Sequence, residues 1–376
     1  YTDFILLTII QYKLHYSKYH SMSTIKNSTR IITLDLLRGY FIFVIIVDHL
    51  LRWPSILAWG TGQGRLWVSA AEGFFIISGL LVGYTRGYKK RTIPLKKLTV
   101  LLYRRAFVLY LSGVISTAIL LFIALRSSFP TALLPELPLA GISILALLWQ
   151  VISLHFVFEW VYFLKLYSIA LLMTPLFMVL LRKNKQYLYV ITTLLVWLAG
   201  AYFDKDWMQW QVLFFIPALF GYHLEAIRSW WQKIGDDNRT LIRTSTIMVT
   251  IFTIILSIFF VFGWSIVEQP NIIMSFDQYV QSRLIIDPIF ARDPISVGRV
   301  LLSFLWFAAL FLFVRRYENY FKKLLGWLFI PLGERSLSAY ILHGFLLVFV
   351  QSQVPESTNK IFNTALSLGI VLAVWT

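Results

Sequence analysis

The sequence is poor in charge and lacks cysteine. Of its 376 residues, 14% are charged, 58% are apolar and none is cysteine. A soluble domain carries about 25% charged residues, so this composition excludes an ordinary water-soluble fold. The absence of cysteine excludes disulfides, thiolate nucleophiles, cysteine-ligated zinc and iron–sulfur clusters. Together with a mean hydropathy of +0.72, these values indicate a polytopic membrane protein.

Familiar catalytic and metal-binding motifs are also absent. The sequence has no GxxxxGK[ST] phosphate loop, no HExxH zinc helix and no GxSxG nucleophile elbow, so those three enzyme classes are not indicated. The six histidines show no metal-ligand spacing, and we predict no metal site. Lys and Arg number 34 against 18 Asp and Glu, but they lie in short clusters between apolar runs. Such clusters set membrane topology, so we predict no nucleic-acid partner.

Ten stretches are long and apolar enough to cross a bilayer, for which about 20 residues are needed. The sequence therefore predicts an all-α polytopic membrane protein with about ten transmembrane helices. The stretches are 37–57, 66–86, 99–124, 162–181, 187–203, 208–227, 241–263, 297–314, 333–351 and 361–376.

Basic clusters between these stretches predict which loops face the cytoplasm. If 138–160 also crossed, the clusters after it would fall outside, so we predict an outer interfacial or re-entrant segment there and both termini in the cytoplasm. We expect 30–376 to be a single membrane domain after a polar tail at 1–29, of which 1–21 is upstream sequence or disordered. The clusters begin at Arg30, Lys89, Arg182, Arg228 and Arg315.

The first predicted span carries four ionisable residues, Asp35, Arg38, Asp48 and His49. Ionisable groups inside a span are costly and are functional candidates by default. The eleven steps from Arg38 to His49 rise about 16 Å and complete about three turns, so both side chains lie on nearly the same face. Two interpretations are open: the residues line one functional channel, or Arg38 is a cytoplasmic anchor and His49 a packed histidine.

Three other groups are functional candidates. Glu72 enters the second span at the depth where His49 ends the first, and is either a partner for His49 or a carboxylate stabilised by the helix dipole. Arg104 and Arg105 precede the third span and are either lipid-headgroup anchors or a site for a phosphate-rich ligand. His343, in SLSAYILHGF, is either functional or a packed core histidine. We also expect His155 and Glu159, four residues apart, to share a helix face.

The motifs RIITLDLLRGYFIFVIIVDH, SAAEGFFIISGLLVGY and RRAFVLY, followed late in the chain by PLGERSLSAYILHGF, occur in this order between residues 30 and 350. Together they resemble the OpgC-like glucan succinyltransferases within the wider acyltransferase 3 superfamily. The middle of the chain, 125–300, matches this pattern weakly. The resemblance implies a ten-span enzyme of a bacterial cytoplasmic membrane that transfers an acyl group from cytoplasmic acyl-CoA to an outward-facing glycan or lipid-linked saccharide.

The resemblance also assigns roles. The essential arginine and histidine of the superfamily map onto Arg38 and His49, and its basic pair onto Arg104 and Arg105. A hydroxyl acceptor needs a base at neutral pH, so we predict that His49 supplies it, oriented first by Glu72 and second by Asp48. An acyl-histidine intermediate is a variant of this mechanism.

The remaining candidates are predicted to bind substrate. Asp35 and His343 complete the set, in which the arginines hold the CoA phosphates at the cytoplasmic mouth. Acyl-CoA, the saccharide acceptor and membrane lipids are the expected partners. The alternative function is a transporter or flippase for a lipid-linked saccharide, in which the same charges line a conduction path.

Overall fold

The structure, a computed structural model, describes residues 31–126, 142–267 and 274–376. The chain divides into the units Tyr1–Ile32 and Thr33–Thr376, and only the last two residues of the first unit are described. In the described ranges the structure is helical and has no strand, which confirms the all-α prediction. The α-helices in chain order are α1 (Ile32–His49), α2 (Ile56–Thr61), α3 (Ala70–Val82), α4 (Leu95–Arg126), α5 (Ile144–Ile152), α6 (Tyr162–Arg182), α7 (Gln186–Tyr202), α8 (Asp206–Trp210), α9 (Val212–Tyr222), α10 (Leu224–Lys233), α11 (Asp236–Phe262), α12 (Trp264–Val267), α13 (Phe276–Ile289), α14 (Val297–Arg316), α15 (Glu318–Glu334), α16 (Ser336–Gln353) and α17 (Lys360–Trp375).

Four helical segments are long and apolar enough to cross a membrane by length and composition: Leu95–Ile123, Glu159–Arg182, Asp236–Phe262 and Val297–Arg316. A fifth is added if Asp206–Tyr222 and Leu224–Lys233, which are bent by 63°, cross together. This is fewer than the ten predicted crossings, although every predicted stretch overlaps a helix. The count of ten and the cytoplasmic position of both termini stay predictions.

The charges of α1 explain why this helix is not among the four segments that could cross a membrane by length and composition. Its 18 residues include Asp35, Arg38 and Asp48, and most of its other residues are buried. Burial within the bundle lowers the need for apolar side chains that face lipid. The charged residues that make α1 a functional candidate are therefore the same residues that make it too polar to be recognised as a membrane span.

The segment predicted at 138–160 contains the short helix α5, and its first residues, 138–141, lie outside the described residues. The nine residues of α5 rise about 14 Å, which is less than half of a bilayer core of about 30 Å. Ile144, Leu145 and Trp149 of α5 are largely exposed. The interfacial placement of this segment stays a prediction.

Helices α13 and α15 were not expected from the sequence. A search for long apolar runs does not find either helix, because polar and charged residues occupy the first turn of each. The N-cap Ser275 of α13 forms a capping box with Gln278, which starts this helix without an apolar run. The first turn of α15 includes Glu318, which accepts hydrogen bonds from Thr33 of α1 and Arg315 of α14.

Close backbone approach holds the centre of the bundle together. A Cβ atom on Gly79 of α3 would lie 2.0 Å from the Phe214 carbonyl oxygen of α9, and a Cβ atom on Gly39 of α1 would lie 1.8 Å from the Phe329 carbonyl oxygen of α15. Small residues permit such contacts between membrane helices. The position of α1 is thus fixed by α15, and the position of α3 by α9.

We expect Gly79→Ala to destabilise the protein by about 1–3 kcal/mol, because the added methyl group forces the α3 and α9 backbones apart. The matched control is Gly369→Ala in the helix α17, where a Cβ atom meets nothing within 4 Å. Thermal unfolding in detergent measures the difference. Equal unfolding temperatures for both variants would contradict the packing role of Gly79.

Candidate active site

Helix α1 places its ionisable residues on two faces. Arg38 lies near its N-terminal end and lines a cleft, and His49 is its last residue and contacts α16. Tyr40, Val44 and Asp48 are four residues apart and follow a neighbouring face. The helix therefore carries a cation and an imidazole along one side, as the spacing predicted.

His49 contacts His343, and this pair forms the centre of the candidate site. The His49 Nδ1 and His343 Nε2 atoms are 3.1 Å apart, and the two rings stack with centroids 5.3 Å apart. His343 is fully buried on α16. The structure thus brings together two of the predicted site residues, which lie 294 positions apart in the chain.

A backbone carbonyl fixes the orientation of both imidazoles. The Nδ1 atom of His343 is hydrogen bonded to the carbonyl oxygen of Tyr340, one turn earlier in α16. A carbonyl only accepts, so Nδ1 of His343 carries the proton and its Nε2 bears a lone pair in the neutral ring. His49 then donates from Nδ1 to His343, which leaves the lone pair of His49 on Nε2. This is the arrangement that a general base requires.

Polar contacts hold the C-terminal end of α1 against α16. Gln351 donates a hydrogen bond of 2.8 Å to the carbonyl oxygen of Leu50. Arg52 donates to the carbonyl oxygens of Val354 and Pro355 at 2.6 and 2.8 Å. Leu50 and Arg52 follow His49 by one and three residues, so these contacts hold the end of α1 that carries His49 against the end of α16 and the residues after it.

Glu72 contacts Arg299 and Ser69, although the sequence predicted it as the partner of His49. Its Oε1 atom lies 2.6 Å from Arg299 Nε, and the side chains of the pair are 0% and 5% exposed. Its Oε2 atom accepts from the Ser69 backbone at 2.9 Å and from the Ser69 hydroxyl at 2.5 Å, a capping box at the start of α3. In the structure the orienting contact to His49 comes from His343, and Glu72 anchors α3 to α14.

Asp48 also contacts groups other than His49. It accepts hydrogen bonds from the Thr61 side chain and the Gly64 backbone, while its Oδ1 atom has no partner among the described residues. Asp48 is 8% exposed. Asp48 immediately precedes His49 in the chain. Its carboxylate therefore orders the segment after α2 and does not orient the imidazole.

A narrow cleft leads from the predicted cytoplasmic side toward the histidine pair. Arg38 and Arg105 line it together with Tyr167 and Tyr340. Arg38 donates a hydrogen bond to Tyr167, and its guanidinium lies over the ring of Phe74, 5.5 Å from the centroid. Tyr340 closes the inner end, and its ring lies 4.9 Å from that of His343. The cleft thus joins two arginines to the residue whose carbonyl orients the pair.

The other predicted residues lie outside this arrangement. Arg104 is exposed on α4 and does not line the cleft, so the arginine pair is divided between two surfaces. Asp35 lies one turn before Arg38 and interacts with it electrostatically. His155 contacts the Ser153 hydroxyl at 2.8 Å in a turn after α5. The prediction that His155 shares a helix face with Glu159 is wrong, because a break separates the two.

The positive charge of Arg292, which the sequence reasoning missed, acts on the site. Its guanidinium interacts electrostatically with His49, Glu72 and Tyr340. The same group lies 5.9 Å from the centroid of the Trp210 ring. Arg292 is exposed on the segment between α13 and α14. That segment is not a long apolar run, so the sequence did not predict that Arg292 lies near a residue of α1.

Arg299, by contrast, could have been predicted as a functional candidate from the sequence. It is the third residue of α14, inside the predicted span 297–314, and the rule that marks ionisable residues in spans applies to it equally. Its Nη1 atom donates to the Phe290 carbonyl oxygen at 3.3 Å. Arg299 therefore connects Glu72 to the segment that carries Arg292.

The described residues contain no group of three or more His, Cys, Asp or Glu that could hold a metal ion. A family model, described as OpgC protein, matches residues 30–376. No curated protein and no solved structure matches the chain.

Proposed function

Because the chain belongs to the OpgC family, we propose that it is an integral membrane O-acyltransferase that uses acyl-CoA. Membership in this family points to a glucan-modifying acyltransferase. The finer assignment is that a succinyl or acetyl group passes from cytoplasmic acyl-CoA to a hydroxyl of an extracytoplasmic glycan or lipid-linked saccharide. The apolar helices fit an integral membrane protein, and we assign it ten crossings, cytoplasmic termini and a bacterial cytoplasmic membrane.

The observation that carries this proposal is the cleft that extends from Arg38 and Arg105 to Tyr340, whose ring lies 4.9 Å from that of His343. Guanidinium groups bind phosphates through charge-assisted hydrogen bonds. A nucleotide held by these arginines directs its pantetheine arm along the cleft toward Tyr340. The thioester then meets the imidazole of His49 at the inner end.

The proposed reaction is a direct transfer. The acceptor hydroxyl attacks the thioester carbonyl carbon while Nε2 of His49 takes the hydroxyl proton. A carbon–oxygen bond forms, the carbon–sulfur bond breaks, and the CoA thiolate leaves with the proton returned from His49. His343 shares the positive charge that develops on His49, since its Nε2 accepts from His49 Nδ1. Arg292 supplies positive charge for the oxyanion of the tetrahedral intermediate.

We expect Arg105→Ala to raise the KM for acyl-CoA about tenfold or more, since a hydrogen bond to a charged group contributes about 1.5–3 kcal/mol. Arg104→Ala is the matched comparison, because Arg104 precedes Arg105 but lies outside the cleft. We expect it to raise the KM less than twofold. Steady-state transfer of a radiolabelled acyl group from acyl-CoA to a glucan acceptor measures both constants.

A transport assay in reconstituted vesicles, run beside the transfer assay, separates the enzyme from the transporter. Saccharide movement across reconstituted vesicles without acyl-CoA, and without an acylated product, would contradict the proposal. Equal effects of the Arg104 and Arg105 variants would remove the cleft as the donor site while leaving the reaction itself in place.

A further inference from the structure

An apolar groove lies beside α1, on the face that carries Tyr40 and Val44. Its cavity volume is about 510 Å³, and α1 and α3 form one wall while α11 and α14 form the other. The described residues that line it include no Asp, Glu, Lys or Arg. The groove is therefore separate from the arginine-lined cleft, which uses Arg38 on the neighbouring face of α1.

One stripe of α11 forms much of the outer wall. Ile247, Thr250, Ile254 and Ile258 all line the groove, at the three- and four-residue spacing of one helix face. From Ile247 to Ile258 the stripe rises about 16 Å, which is close to one leaflet of a bilayer core of about 30 Å. Helix α11 packs against α14 and α12, so this stripe faces the groove.

The same stripe becomes basic toward the start of α11. Arg243 lies four residues before Ile247, and Arg239 four residues before Arg243. Arg239 contacts Asp236 at 2.6 Å, while its buried Nε atom has no partner among the described residues. Helix α14 ends in Arg316, three residues after the groove residue Phe313. Both walls therefore lead from apolar side chains to arginines at the predicted cytoplasmic end.

We propose that this groove binds an anionic phospholipid of the cytoplasmic leaflet. One hydrocarbon chain lies along Ile247–Ile258, and the phosphate lies between Arg243 and Arg316. Basic pockets between helices at the cytoplasmic side suit anionic headgroups, and an uncharged groove of one-leaflet length suits a hydrocarbon chain. Charge at one end and apolar lining along the rest favour a phospholipid over an uncharged lipid or a soluble ligand.

The bound chain contacts the wall of α1 one turn below Asp48, since Val44 lines the groove four residues before it. The lipid thus supports the helix that carries His49 without contact to the reacting groups. Lipid binding at this groove does not depend on the proposed reaction.

Native mass spectrometry of the full chain, titrated with phosphatidylglycerol or phosphatidylcholine, tests the proposal. We expect wild type to bind phosphatidylglycerol at least tenfold more tightly than phosphatidylcholine. The double variant Arg243→Gln/Arg316→Gln should lose this preference. The matched control Lys183→Gln, an exposed residue in a predicted cytoplasmic loop away from the groove, should keep it.

A second variant tests the chain site. Ile258→Trp fills the groove from a half-exposed position that tolerates a larger side chain, and we expect it to weaken binding of both lipids at least fivefold while unfolding at the wild-type temperature. The proposal is overturned if the arginine variant binds phosphatidylglycerol like wild type, or if the Lys183 control loses as much affinity. Co-purification of an isoprenoid-linked saccharide in place of phospholipid also overturns it.

Discussion

His49→Ala should lower the rate of acyl transfer by about 10²–10⁴-fold, the range that general base catalysis contributes. In the proposed mechanism the variant loses the Nε2 lone pair that takes the acceptor proton, while α1 stays in place through its contacts at Gly39 and Leu50. Single-turnover transfer of a labelled acyl group from acyl-CoA measures the chemical step. Binding of acyl-CoA, measured separately by calorimetry, should be unchanged.

His343 provides the internal comparison. His343→Gln keeps a hydrogen-bonding side chain beside His49 but does not share the positive charge that forms, so we expect a smaller loss of rate than for His49→Ala. His155→Ala, at a histidine in a turn after α5, is the control and should transfer at the wild-type rate. Activity of His49→Ala close to wild type would refute the assignment of the base, whatever the result for His343.

Glu72→Gln should destabilise the fold by about 3–5 kcal/mol, because it leaves Arg299 as an uncompensated buried charge. Both side chains are almost fully buried, and their contact is 2.6 Å long. The double variant Glu72→Met/Arg299→Met removes both charges and should recover most of the lost stability. Thermal unfolding in detergent, with transfer activity measured per folded molecule, follows the two effects separately.

The control is an exposed pair of the same type. Asp287→Asn breaks the ion pair with Arg283, whose side chains are 45% and 28% exposed, and such pairs contribute about 1 kcal/mol or less. If the stable double variant is inactive while His49 still contacts His343, Glu72 has the catalytic role that the sequence predicted. If its activity returns with its stability, Glu72 is structural.

Much of the fold followed from composition and helix length. Apolar runs located a helix at each predicted span, because burial and bilayer thickness act on local sequence. Helices α13 and α15 were missed because polar and charged residues occupy their first turns, and the number of crossings is not determined by apolar runs alone. The charges of α1 show the reason: Asp35, Arg38 and Asp48 are tolerated where neighbouring helices cover them, which a single segment of sequence does not reveal.

The site was predicted in part for the same reason. Spacing along one helix placed Arg38 and His49 on a common face, a local property that the geometry of the helix determines. The partner of His49 depends on which distant helix packs beside it, and the sequence predicted Glu72 first and Asp48 second as that partner. In the structure His343 contacts His49, while Glu72 pairs with Arg299, which lies 227 positions away in the chain.

The contact between His49 and His343 also determines when the site can form. Helix α1 is synthesised and inserted early, but α16 emerges only after nearly all of the described helices. Until α16 docks, His49 has no orienting partner, and the cleft lacks Ser336 and Tyr340 from its lining. If the proposed mechanism holds, a partly inserted chain therefore has its arginines and His49 in place without a complete reaction centre, and it acquires catalytic competence late in biogenesis.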